Sequence, residues 1–133
     1  METEQLHLRD GSGISFYNLL TARGLASLLA VMARQPAFDR FISTFAIAGK
    51  DGTLARRMRD MKKGAEFRGK TGTVSGVSAL SGYAQAPGGR LLGVVILMQN
   101  FHGKHKPYRD IQDAIVRHCI TYSAASSKPT QPR

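Results

Sequence analysis

The chain has 133 residues, 42% of them hydrophobic, which is enough for one domain around one core. Its 19 Lys and Arg against 9 Asp and Glu give a net charge of +10, which favours anionic partners and does not bear on fold. The longest apolar run, Leu91–Met98, is broken by Gly93 and falls short of the roughly 18 residues of a membrane span; the single cysteine, Cys119, excludes an internal disulfide.

Residues 1–13 are polar and end in the turn-rich Asp10-Gly11-Ser12-Gly13. Thr21 is a good N-cap for a helix to about Arg34, with Leu25, Leu28, Leu29 and Met32 on one face. Pro36 ends that helix and opens a short second one, with Phe38, Phe41 and Ile42 as its buried side. Lys50-Asp51-Gly52-Thr53 reads as a turn, and Leu54–Met61 as a short, strongly basic helix. The period then changes. Glu66–Val74 and Val77–Ala86 read as strands, Pro87-Gly88-Gly89 as a hairpin turn and Arg90–Gln99 as a third strand. That third strand is apolar at nearly every position, which predicts cover on both faces and a central place in the sheet. A last helix is predicted from about Tyr108 to Tyr122, with Ile111, Ala114, Ile115, Cys119 and Tyr122 on its inner side. Residues 123–133 are small, polar and Pro-containing, and are expected to form a disordered tail. The sum is one α+β unit over residues 1–122: N-terminal helices, a three-stranded antiparallel sheet and a C-terminal helix.

The chemistry centres on Lys70-Thr71-Gly72-Thr73, late in the first long strand. A cation and hydroxyl donors along a strand can hold a substrate carboxylate, and a glycine between them lets a peptide approach the backbone without meeting a Cβ. The edge can then pair with that peptide as an extra strand. Taken alone, the triplet fits a surface strand with a basic end better than a binding site. Its neighbours are more specific. Asp10-Gly11-Ser12-Gly13-Ile14-Ser15, Asn18, the stretch Ile47–Leu54, and Lys70-Thr71-Gly72-Thr73 followed by Gly76–Tyr83 occur in one linked order. Together they resemble the C-terminal segment of the D-alanyl-D-alanine carboxypeptidase/endopeptidase branch of the low-molecular-mass penicillin-binding proteins, over about Leu8 to Arg117.

The resemblance implies a β-lactamase/transpeptidase-like domain, a periplasmic or cell-envelope setting, and a peptidoglycan stem peptide or β-lactam as ligand. It implies Lys70 as a catalytic cation and Thr71, Gly72 and Thr73 as substrate-binding residues. The N–H of Thr73 would be one donor of an oxyanion hole. It implies no cofactor and no metal. The nucleophile of that family is a serine three residues before a lysine, and no lysine here has one: Lys70 follows Phe67 at that spacing, and Lys50 follows Ile47. Neither asparagine completes a Ser-x-Asn, since Asn18 follows Phe16 and Asn100 follows Met98. The chain is therefore expected to be inactive alone and to need the missing N-terminal part of the catalytic domain as a partner. No signal-peptide pattern opens the sequence, which has no bearing on a leader further upstream.

Other residues carry blander expectations. His102 and His105 read as exposed loop histidines with no third metal ligand at a suitable spacing. Cys119 reads as a small core residue and His118 as structural. Ser12 lacks the Gly-x-Ser-x-Gly frame of a nucleophile and reads as a loop residue shaping the cleft. The basic run Arg56–Lys63 has no interleaved aromatics and reads as a solvated face, with no specific nucleic-acid partner. The runner-up function is a non-catalytic basic binding module on the same fold.

Overall fold

The computed structural model describes residues 6–126. Its elements are α1 (Ala22–Met32), α2 (Phe38–Ser43), β1 (Ala46–Ile47), a 3-10 turn (Gly52–Leu54), β2 (Glu66–Val74), β3 (Val77–Gln85), β4 (Leu91–Gln99) and α3 (Lys106–Ser126). The sheet is antiparallel in the order β1-β2-β3-β4. It has four strands where three were predicted. The addition is the two-residue β1, too short to show a period of two, which pairs Ala46 with Gly69 and Ile47 with Arg68.

Two tight connections set the register. Ser75-Gly76 joins β2 to β3 with Val74 opposite Val77, and Gly76 takes φ 68°, which an L side chain rarely adopts. A Cβ there would also stand 3.1 Å from the Phe101 carbonyl oxygen. Pro87-Gly88-Gly89 joins β3 to β4 as predicted, closed by Ala86 N–H donating to Arg90 O at 2.9 Å.

The pleat divides the sheet into two faces. Phe67, Leu80, Ala84 and Val94 point one way and form the core with Leu54, Met58, Val116 and Ile120. Burial of one such side chain contributes roughly 1.5–3 kcal/mol. Tyr83 points the other way and is buried, which raises its phenol pKa by desolvation, and its hydroxyl donates to Leu29 O at 2.8 Å. Phe38 meets that ring edge-on, with centroids 5.1 Å apart. This second face carries α1, whose N-terminus is capped by Thr21 accepting from Gly24 N–H at 3.0 Å.

Several expectations need correction. Among the described residues β4 has β3 on one side and no strand on the other, so the central place expected of it is not filled within them. Its two-sided apolarity comes from helices above and below, since both α1 and α3 pack on it; cover of the faces does not require a strand on each side. Leu54–Met61 is not a helix beyond the 3-10 turn, because Met58 adopts φ 51° and buries its side chain to 3% exposure. α3 turns a different side inward: Gln112, Asp113, Val116 and Ile120 are buried, while Ile111, Ile115 and Tyr122 are 49%, 38% and 67% exposed. α3 also continues to Ser126, past the predicted end at Tyr122. The rest of the expected tail, 127–133, lies outside the described residues.

Candidate functional site: the outer edge of the second strand

β2 is paired with β3 along its whole length but with β1 only at Arg68 and Gly69. The carbonyl of Phe67 accepts Ala48 N–H at 2.9 Å, so odd-numbered residues of β2 turn their backbone groups outward. The N–H and C=O of Thr71 and Thr73 therefore face outward beyond the end of β1, at an edge with no strand beside it among the described residues.

Side chains divide by the same parity. Lys70 and Gly72 lie on the face that carries α1, while Thr71 and Thr73 lie on the face of Phe67. Lys70 is exposed and its Nζ donates to Thr71 O at 2.7 Å. It has no carboxylate partner among the described residues. Thr71 Oγ1 donates to Thr53 Oγ1 at 2.9 Å, tying the strand to the 3-10 turn. Thr73 is exposed and stands opposite Ser78. The structure thus gathers all four residues on one edge while separating the ammonium from the two hydroxyls. A ligand lying along the edge would meet both sets; a ligand over one face would not.

Gly72 has no structural reason to be glycine. Its φ is not positive, and the nearest atom to an added Cβ would be Ala79 Cβ at 3.4 Å, an ordinary contact.

Behind this edge lies a polar network that sequence reasoning missed. Arg57 donates to Asp113 Oδ1 from Nε at 2.9 Å and from Nη2 at 2.6 Å, and also to Gln112 Oε1 at 3.0 Å. Gln112 Nε2 donates to Ser78 Oγ at 3.1 Å, opposite Thr73. The only sequence signal was the placing of Gln112 four residues before Val116 and eight before Ile120.

The Asp10-Gly11-Ser12-Gly13 loop is closed by mutual hydrogen bonds of His7 and Leu19 and clipped from within. Asp10 accepts from the Asn18 amide, Ser12 Oγ, and the Gly13 and Ser15 N–H groups. The Asn18 contact leads in holding the Asp10 carboxyl below its usual range. Ser12 Oγ gives its proton to Asp10 and accepts from Ile14 N–H, so it is a turn residue in this fold. His105 is half-buried, not exposed: its ring meets Phe101 edge-on at 5.2 Å, and its Nδ1 has no hydrogen-bond partner among the described residues. Among those residues no three His, Cys, Asp or Glu stand together as metal ligands.

A family model described as D-Ala-D-Ala carboxypeptidase 3 (S13) matches residues 1–121. The chain belongs to that family. It is 38% identical over 128 residues to a D-alanyl-D-alanine carboxypeptidase of Actinomadura sp. (strain R39), covering 92% of this chain and 23% of that protein. It is 32% identical over 125 residues to carboxypeptidase DacB of Mycolicibacterium smegmatis, covering 90% of this chain and 27% of that one. The chain thus spans about a quarter of the length of the curated relatives it matches. Penicillin binding protein 4 (dacB) of Haemophilus influenzae shares the fold, with TM-score 0.72 and 25% identity over 86% of this chain and 27% of its own. The same protein in complex with a β-lactam gives TM-score 0.73, at 25% identity over 86% of this chain and 29% of its own. These matches support the S13-type α+β arrangement of helices on an antiparallel sheet.

Proposed function

We propose that this chain supplies the substrate-binding strand of a serine-type D-Ala-D-Ala carboxypeptidase/endopeptidase that processes peptidoglycan in the cell envelope. The observation that carries the reading is the open outer edge of β2 beyond Gly69, with Lys70, Gly72 and Thr73 exposed along it. The stem peptide, or a β-lactam in its place, lies along that edge as an added strand. Lys70 supplies positive charge for the terminal carboxylate, and the Thr71 and Thr73 hydroxyls reach the ligand around the edge. Gly72 leaves the backbone bare where the ligand passes, and the Thr73 N–H points at the position of the developing oxyanion. The fold does not demand glycine at 72, which favours a ligand-facing reason for it. Acylation needs a nucleophile outside these 133 residues, since no Ser-x-x-Lys is present.

Titration of the isotopically labelled chain with an acyl-D-Ala-D-Ala peptide tests the reading. The expected result is amide shift changes concentrated at 70–74 that weaken on Lys70→Gln. Changes elsewhere, or none at saturating peptide, would overturn it. A labelled β-lactam should leave the mass of the chain unchanged.

A further inference from the structure

The basic run Arg56–Lys63 is held in one shape. Leu54 and Met58 are buried at 0% and 3% exposure, and Met58 keeps a left-handed backbone to reach the core. α3 clasps the run at two points: Arg57 to Asp113, and Asp60 to Arg117 at 2.6 Å. It starts next to Thr53, whose hydroxyl meets Thr71, and re-enters the sheet at Glu66. It therefore runs from the level of Thr71 toward the Glu66 end of β2, where Gly64 lies against Pro87 of the β3–β4 turn.

The carboxylates around this loop are already engaged. Asp60 pairs with Arg117, Asp113 with Arg57, and Glu66 with both Lys50 and Arg68, while Asp51 accepts Ile47 N–H at 2.6 Å. Arg56, Arg59, Lys62 and Lys63 are exposed, and none has a carboxylate partner among the described residues. Four cations on a loop fixed by the core lose little freedom on meeting a polyanion, unlike cations on a floppy tail.

We infer that this loop is a second binding surface, for the anionic groups of the cell-wall polymer whose peptide engages β2. The inference rests on the function proposed above and deepens it. Position favours the partner: the loop starts beside Thr53, which touches Thr71 of the peptide-binding edge, so an anion borne by the same polymer is presented to the loop at raised effective concentration. Carboxylates and phosphodiesters share the required chemistry. A nucleic acid would also meet the charge, but aromatic residues for stacking on bases are absent from the run.

Co-sedimentation of the chain with purified sacculi at low salt is the test, using intact sacculi, sacculi stripped of phosphodiester polymers, and stripped sacculi with amidated carboxylates. The chain should be retained. Joint replacement Arg56→Gln, Arg59→Gln, Lys62→Gln and Lys63→Gln should weaken retention about tenfold, as expected for four exposed contacts. Exchanging each Arg for Lys and each Lys for Arg should preserve it, which separates charge from folding. Loss on stripping assigns the phosphodiester, and loss only on amidation assigns the carboxylate. Equal retention of the neutralised chain overturns the inference, as does tighter binding to duplex DNA or to anionic phospholipid vesicles than to sacculi. Peptide-induced shifts at 70–74 with loop-independent retention would remove only this inference. Loop-dependent retention without those shifts would instead remove the reading of β2.

Discussion

Three carboxylates are held below their ordinary pKa: Asp10 by the Asn18 amide and its loop, Asp60 by the Arg117 guanidinium, and Glu66 by Arg68 and Lys50. For Glu66, burial is the largest influence and pushes upward, yet the two cations together outweigh it. A carboxyl with a lowered folded pKa binds its proton more readily when unfolded. Its contribution is fully present above the unfolded value, ordinarily 3.8 for Asp and 4.5 for Glu, and is lost as pH falls through the lower folded value. Stability measured by urea unfolding should be level between pH 6 and 7 and should decline below about 4.5. Glu66→Gln should flatten part of that decline.

Among the elements, α3 depends on a pair that is nearly sealed from water: the side chains of Arg57 and Asp113 are 11% and 13% exposed. Removing one partner strands the other. Arg57→Met or Asp113→Leu alone should therefore destabilise by about 3 kcal/mol, while the double replacement should cost much less. Denaturant midpoints of the two single variants and the double variant measure this, and additive losses would contradict it. The same pair explains what the sequence concealed. Leu-Ala-Arg-Arg-Met-Arg-Asp-Met has the composition of a helix, but the tertiary contacts of Arg57 and Met58 override local preference. Ile111 and Ile115 advertised the wrong side of α3, because the side that packs is defined by what Gln112 and Asp113 bind. By contrast, the Thr21 cap, the Pro87-Gly88-Gly89 turn and the period-two strands rest on local rules, and they could be read directly. Lys70 to Thr73 could be placed late in an outer strand whose edge is free to take a peptide; that β1 covers this edge at Arg68 and Gly69 could not, since two residues announce no pattern.

The whole molecule leaves much apolar surface uncovered. Phe16, Tyr17 and Ile14 are 84%, 76% and 72% exposed, and Leu28 and Val31 on α1 are 41% and 49% exposed. Exposure of this extent marks a contact surface or an aggregation liability. Among the described residues no strand pairs with the outer side of β4, which adds open backbone groups. The net charge of +10 opposes self-association, but screening at physiological salt limits its reach to about 8 Å. Light scattering of the purified chain should therefore show dimers or larger species, growing as salt is raised. A monodisperse monomer that unfolds cooperatively would show that these surfaces are tolerated.

The one-sided pairing of β2 has a consequence in time as well as in space. Lys70 and Gly72 turn their N–H groups to β3, whereas Thr71 and Thr73 turn theirs to solvent. Solvent deuterium should enter this strand in alternation: rapidly at 71 and 73, slowly at 70 and 72, with neighbouring amides differing because of direction alone. A peptide added along the edge would abolish the alternation by slowing the odd positions and sparing the even ones. Occupancy of the edge could thus be read amide by amide from exchange rates, without any chemical turnover.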